Sequence, residues 1–255
     1  MLLLINIKRK FRFLLTAGFL VMLGCESEGD FQFDNLGVSK AGSMAQFYID
    51  PSYLYVVEQT NLSIFDITKE QPLLIAKTKL PWVSETIFKL NDILMIGTTT
   101  GVLFYNVSNP QNPTLLSDYA HITSCDPVVS NGQYAFVTLR SGRTCGPAAD
   151  ELQVLDITDI SKPELIGSYP MLSPYGLAIM GNNLFVGEGS FGMRWFDISN
   201  ILELTKVETI REIEALDFIV NGNNITINTK NSLLQMELTP SNELVKISEM
   251  FYADN

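Results

Sequence analysis

The chain has 255 residues, 46% hydrophobic and only 18% charged, the composition of a folded protein that buries a sizeable core and not of a solvated disordered chain. Lys and Arg number 17 against 28 Asp and Glu, and the formal charge of −11 excludes an electrostatic grip on nucleic acid or on an anionic bilayer. One His and three Cys are too few for a His/Cys zinc cage, and a Ser-His-Asp triad would have to use His121.

In chain order, the first segment differs in kind from the rest. Lys8, Arg9, Lys10 and Arg12 form a basic cluster, followed by the twelve residues Phe13 to Gly24, which are mostly apolar. A helix needs about 20 residues to cross a hydrocarbon core about 30 Å thick, so this run is too short to span a membrane and has the length of a signal-peptide core. It closes on Met22-Leu23-Gly24-Cys25, which resembles a bacterial lipobox, where a small residue precedes the Cys that is lipidated and then begins the mature chain. Met22 stands where that family usually has Leu.

The resemblance implies a lipoprotein signal peptide at residues 1–24, Cys25 as the lipidation site, and a location in the cell envelope, with the outer membrane expected. It also implies an anchor of two or three acyl chains, because one chain alone binds membranes only marginally. The other reading of the same residues is a signal peptide cleaved nearby beside an incidental Cys. Loss of the four basic residues takes the formal side-chain charge from −11 to −15, so attachment to a membrane has to come from lipid.

Residues 25–40 are read as a tether, acidic at Glu26, Glu28 and Asp30, with a closing strand at Phe31-Gln-Phe33 that would pair with Val245 to Met250. With Cys25 taken by lipid, Cys125 and Cys145 remain as an even pair in a compartment where disulfides persist. A bridge between them would close a loop of about twenty residues and contribute roughly 3 kcal/mol if unstrained. The alternative is two unpaired buried thiols.

One motif is written five times along the remainder. Its copies are Leu62-Ser-Ile-Phe-Asp-Ile-Thr68, Val102-Leu-Phe-Tyr-Asn-Val-Ser108, Leu152-Gln-Val-Leu-Asp-Ile-Thr158, Met193-Arg-Trp-Phe-Asp-Ile-Ser199 and Leu233-Leu-Gln-Met-Glu-Leu-Thr239. Its polar anchors Asp66, Asn106, Asp156, Asp197 and Glu237 follow one another at 40, 50, 41 and 40 residues. The third unit is longer because of an insertion that includes Ser141-Gly-Arg-Thr-Cys145, so the expected disulfide would tie that loop to the start of its own repeat.

Each unit reads as four short strands. In the first they fall at Met44 to Ile49, Tyr53 to Val57, Leu62 to Ile67 and Leu73 to Leu80, divided by Asp50-Pro-Ser52, Gln59-Thr-Asn61 and Thr68-Lys-Glu-Gln-Pro72. Later hairpins carry Leu90-Asn-Asp92, Asn131-Gly132, Gly181-Asn-Asn183 and Asn221-Gly-Asn-Asn224, whose Gly and Asn residues tolerate positive φ. No stretch sustains apolar spacing at three and four, which disfavours a helical solenoid.

A period near 40 with four strands per unit predicts an all-β β-propeller over residues 41–255, with five blades of four antiparallel strands. Units of the form Leu-x-Val-x-Asp-Ile-(Ser/Thr), followed by Asn-Pro or Lys-Pro as in Ser108-Asn-Pro-Gln-Asn-Pro113 and Thr158-Asp-Ile-Ser-Lys-Pro163, resemble the LVIVD repeats of bacterial surface propeller proteins. The resemblance runs from about residue 44 to 250. Its fifth copy departs most, with Glu237 for Asp and no following Pro, which leaves open a ring completed by another chain.

The anchor carboxylates have the position and chemistry of turn acceptors, because Asn106 replaces one without a charge. Binding in propellers gathers where the innermost strands begin, which makes Trp82, Glu85, Asp126, Tyr175 and Glu214 candidates for one rim. Trp82 and Tyr175 either offer aromatic faces to a sugar or peptide or plug the channel. His121 sits in strand-like context, and no phosphate loop, nucleophile elbow, zinc-protease or calcium-loop motif is present, so no catalytic residue, metal or cofactor is assigned.

The expected function is a non-catalytic, lipid-anchored scaffold that meets an envelope protein or glycan and no nucleic acid. The alternative is a glycoside-active enzyme using a pair of acids from Glu85, Asp126, Glu188 and Glu214 at the channel mouth.

Overall fold

The computed structural model describes residues 42–120, 127–141 and 149–252. Cys25, the Phe31-Gln-Phe33 strand, His121, Cys125, Asp126 and Cys145 lie outside the described residues.

Five antiparallel sheets, each of four strands consecutive in sequence, make five blades of a propeller. Blade 1 is β1 (Phe47–Ile49), β2 (Tyr53–Glu58), β3 (Asn61–Asp66) and β4 (Leu73–Lys79). Blade 2 is β5 (Ser84–Leu90), β6 (Ile93–Thr98), β7 (Gly101–Asn106) and β8 (Thr114–Ala120). Blade 3 is β9 (Val128–Ser130), β10 (Tyr134–Leu139), β11 (Glu151–Asp156) and β12 (Glu164–Pro170). Blade 4 is β13 (Leu177–Met180), β14 (Asn183–Gly187), β15 (Met193–Asp197) and β16 (Thr205–Ile210), and blade 5 is β17 (Ala215–Asn221), β18 (Asn224–Thr229), β19 (Ser232–Leu238) and β20 (Leu244–Phe251). The degenerate fifth repeat thus supplies a full blade without borrowing a strand.

Burial explains the sequence pattern strand by strand. The second and third strands of a middle blade are covered on both faces, so β6 and β7 read as nearly continuous apolar runs. The outer strands β4, β8 and β12 face solvent and are mostly exposed. Positive φ falls at Asn91, Gly132, Gly181 and Gly222, inside the hairpins expected to need it.

The repeated anchor closes the turn after the third strand. Asp66 Oδ1 accepts from Thr68 N (2.9 Å) and Thr68 Oγ1 (2.6 Å), and Asp156 Oδ1 accepts from the same two groups of Thr158 (2.9 and 2.7 Å). Asn106 Oδ1 takes Ser108 N at 2.8 Å, and Asp197 Oδ1 takes Ser199 N at 2.8 Å. These donors hold the Asp66, Asp156 and Asp197 carboxyls below the ordinary carboxylate range. Within each third strand, just before the anchor, the pairing slips by one: Ile75, Leu116, Ile166, Val207 and Ile247 are left unpaired in the fourth strands, one β-bulge per blade.

The core lies between blades. Tyr48, Tyr55 and Ile64 of blade 1 pack on Ile87, Leu94 and Leu103 of blade 2. Phe104, Phe136, Leu155 and Leu177 belong to a cluster spanning blades 2, 3 and 4, and Phe185, Trp195, Phe218 and Ile227 join blades 4 and 5. Trp195 packs 5.5 Å, centroid to centroid, from Phe185 and donates Nε1–H to Asn183 Oδ1 at 2.7 Å.

Blades 5 and 1 meet differently. The innermost strand of blade 1 starts at Phe47 and not at the expected Met44, because Gly42 to Met44 leave the sheet to bind Asp217 of β17. Ser43 Oγ donates to Asp217 Oδ1 (3.1 Å) while accepting Leu177 N of blade 4 (2.7 Å), and Met44 N reaches Asp217 Oδ2 at 3.4 Å. A Cβ on Gly42 or Gly176 would stand 2.1 or 2.2 Å from an Asp217 oxygen, so only glycine admits the carboxylate there. Burial pushes the Asp217 carboxyl above its ordinary range, against the pull of donors from Phe218, Ser43 and Met44.

Candidate active site

The starts of the innermost strands surround a recess of about 490 Å³. Blade 1 contributes Met44, Gln46, Glu58 and Gln59; blade 2 contributes Val83 to Thr86; Pro127 and Arg140 come from blade 3, and Pro174 and Tyr175 lead into blade 4. It therefore brings the carboxylates of Glu58 and Glu85 and the guanidinium of Arg140 to one mouth. The other end of the inner strands holds an apolar recess of about 240 Å³ lined by residues such as Leu90, Val129, Ile179 and Phe218, with no ionisable side chain.

Local hydrogen bonds fix these groups. Gln59, at φ 50°, turns the hairpin after Glu58, and its carbonyl accepts both Ser84 N (2.6 Å) and Ser84 Oγ (2.7 Å). This pair of hydrogen bonds ties the hairpin that carries Glu58 to the strand that carries Glu85. Arg140 follows β10 at the base of the insertion, where Ser141 N donates to Asp150 Oδ1 at 2.6 Å. Its guanidinium lies 3.7 Å from the Tyr175 ring centroid. The Tyr175 carbonyl accepts Thr138 Oγ1 (2.7 Å), its N–H donates to Gly187 O (2.8 Å), and a Cβ on Gly189 would press to 2.9 Å of its ring. Arg140 is only 8% exposed, so its charge acts in a partly dehydrated setting.

Of the residues expected at one rim, Glu85 and Tyr175 meet in this recess. Trp82 does not: it packs against the blade 1 and 2 core. Glu214 lines a separate recess with Glu212, Lys230 and Glu249. Asp126 lies outside the described residues. Ser43 and Asp217 bridge blade 1 to blades 4 and 5.

Glu188 is also removed from the set of acids. It is buried, its Oε2 accepts Arg194 Nε at 2.8 Å, and its Oε1 accepts Leu172 N, so both oxygens brace the loop leading to Tyr175. Glu58 and Arg140 were not singled out from the sequence. Both stand at the hairpin after a second strand, the end of the blade that faces the same mouth as the inner-strand starts, and that shared position is the signal that would have found them.

Residues 124–170, covering the third repeat, match the family model described as LVIVD repeat. The chain carries an LVIVD repeat. A comparison with curated proteins finds no match. Among solved structures, this chain resembles the periplasmic gluconolactonase of Pseudomonas aeruginosa, at 11% identity and TM-score 0.61 over 78% of this chain and 67% of that one. A candidate 6-phosphogluconolactonase from Bacteroides uniformis matches at 10% identity and TM-score 0.61, over 80% and 70% of the two chains. A functionally unknown protein from Desulfotomaculum acetoxidans matches at 11% identity and TM-score 0.60, over 84% and 70%.

At such identity these likenesses show the fold. They nonetheless correct the expectation of a non-catalytic scaffold for an envelope protein or glycan. That expectation rested on the propeller architecture and the lack of a motif, and chains with the same fold bear the names of lactonases. Lack of a linear motif carries little weight where, as here, the charged groups converge from three blades.

Proposed function

We propose that the chain is a carbohydrate-active hydrolase whose substrate is a small sugar lactone, acting at the recess of Glu58, Glu85 and Arg140. The observation that carries the reading is the convergence of two carboxylates and one guanidinium beside an aromatic face in a single polar recess. Hydrolysis of a cyclic ester needs a base to take a proton from water and a donor where the carbonyl oxygen gains charge. Glu85 is assigned the base and Arg140 the donor, with Tyr175 keeping the guanidinium in place. Glu58, more exposed on its hairpin, would orient the sugar hydroxyls.

The test is lactone opening followed by proton release, with glucono-1,5-lactone and its 6-phosphate as probes. Glu85→Gln and Arg140→Met should each lower kcat/KM by about 10²-fold, the scale of one lost base or oxyanion donor, while Trp82→Phe leaves it unchanged. Parent rates no faster than spontaneous opening on both probes would sink the reading.

We further propose that Cys25 is lipidated and holds the body at the cell envelope, and that Cys125 and Cys145 form a disulfide. The basic and apolar segments ahead of Cys25 support the first, and the even pair left after lipidation supports the second. Cys25→Ala should abolish labelled palmitate uptake and release the protein from membranes. Peptide mapping without reductant should recover a linked 125–145 pair; free thiols at both would overturn it.

A further inference from the structure

Equivalent residues of the five inner strands can be matched by their pairing. Phe47 opposite Val56 corresponds to Ile87 opposite Ile96, Val128 opposite Val137, Leu177 opposite Val186 and Phe218 opposite Ile227. The residues just before these, Gln46, Thr86, Pro127, Gly176 and Asp217, therefore make one layer across the ring. Gln46, Thr86 and Pro127 line the recess that holds Glu58, Glu85 and Arg140. In the rest of the layer Gly176 packs against the Asp217 carboxylate, with Gly42 on its other side. Asp217 is the one ionisable member of the five.

Two walls of the recess are tied to that carboxylate. On one side Asp217 Oδ1 accepts Ser43 Oγ–H at 3.1 Å, and Ser43 Oγ accepts the N–H of Leu177, two residues past Tyr175, at 2.7 Å. Gly176 N, next to Tyr175, donates to Leu216 O, next to Asp217, at 2.9 Å. The Tyr175 ring centroid in turn lies 3.7 Å from the Arg140 guanidinium. On the other side Met44 N, in the recess wall, reaches Asp217 Oδ2 at 3.4 Å. Ala45 O then accepts Ile87 N at 2.9 Å, on the strand that carries Glu85. We propose that Asp217 is a positioning residue of the recess, which fixes the Tyr175 wall against the Met44 wall and so sets where Arg140 stands relative to Glu85. Apolar contacts between blades are non-directional and leave that spacing loose, whereas a carboxylate that accepts from two groups at set angles defines it. The effect of Asp217 on turnover rests on the lactone reading; its effect on Arg140 does not.

The test is phenylglyoxal modification of the folded full chain, read by mass spectrometry at the Arg140 peptide, with exposed Arg211 as the internal control. Arg140, 8% exposed and stacked on Tyr175, should react on the order of tenfold slower than Arg211 in the parent. Asp217→Ala should raise the Arg140 rate by about three- to tenfold, and Asp217→Asn, which keeps an acceptor for Ser43, should restore most of the protection. Ile225→Ala removes fully buried core from the far end of the same blade, opposite Val220, and should leave the Arg140 rate unchanged. An Arg140 rate unmoved by Asp217→Ala would overturn the assignment, and so would an equal rise in Ile225→Ala, the mark of general loosening. On glucono-1,5-lactone, Asp217→Ala should lower kcat by about tenfold with KM nearly constant, the signature of misplaced groups in a site that still binds. A freed Arg140 with undiminished turnover would sink the lactone reading and leave the positioning role standing. If Asp217→Ala does not fold, Ser43→Ala decides: it cuts the link to Leu177 and keeps the carboxylate, and an unchanged Arg140 rate there overturns the assignment.

Discussion

The junction between blades 2 and 3 and the junction between blades 5 and 1 use the same strand positions with different chemistry. At the first, Phe88, Met95 and Phe104 meet Val128, Phe136 and Val154 in a dry cluster. At the second, Phe47 and Ile219 stay half exposed and the described contact is a buried carboxylate held by Ser43 and Met44. Apolar packing is strong, but its pull is non-directional and each blade face here is apolar. The Asp217 cradle is specific: it needs glycine at 42 and 176 and a hydroxyl at 43, a set no other blade junction repeats among the described residues. Hydrophobic burial holds the middle blades together, while directed polar bonds from Ser43 and Met44 join the first blade to the last two.

The largest effect should separate the two junctions directly. Phe104→Ala empties a fully buried site and should lower unfolding free energy by about 3–5 kcal/mol in urea, whereas Phe47→Ala should lower it by about 1 kcal/mol or less. Equal losses would mean the 5 and 1 junction is as dry as the others. Next, Asp217→Ala strands the Ser43 hydroxyl and the Met44 amide and should lower stability by about 2 kcal/mol, measured the same way.

Smaller again is a pH effect. The Asp217 carboxyl titrates higher in the folded chain than in the unfolded one, whose value is about 3.9, so the folded state holds the proton more tightly. Its contribution is fully present below about pH 4 and is lost as pH rises through the raised native value. The stability of the parent minus that of Asp217→Asn should therefore fall from acid toward neutral pH and then level off. A difference that rises with pH would show that the surrounding donors outweigh desolvation. The turn aspartates have the opposite sign, present above the unfolded value and lost in acid, but they are common to both proteins and cancel. Least of all, Asp156→Asn should lower the unfolding midpoint only slightly, because Asn106 already makes the backbone turn bond in blade 2 without a charge.

What was legible in the sequence was what repeats. Asp66, Asn106, Asp156 and Asp197 located the third strands because the turn bond is made to a residue two positions on, and a local bond leaves a local pattern. Glu85 and Tyr175 were legible for a related reason, since the starts of inner strands can be counted from the repeat. Asp217 was not, because its partner Ser43 is 174 residues away and carries meaning only once five blades bend the chain round. Arg140 and Glu58 were missed likewise: one follows and the other ends an ordinary second strand, and only the ring brings them to one mouth. Trp82 and Glu214 show the converse, since the right place in the repeat count does not tell which way a side chain leaves the loop.

The single unpaired aliphatic residue in every fourth strand has a consequence for life at high concentration. Among the described residues, five like sheets present five outer edges, whose N–H and C=O groups could template another copy. Ile75, Leu116, Ile166, Val207 and Ile247 break the ladder near the start of each edge and add twist there. Two such molecules meeting edge against edge would then find no flat, continuous strand to extend, which works against the repetition that builds the fold propagating from one molecule to the next.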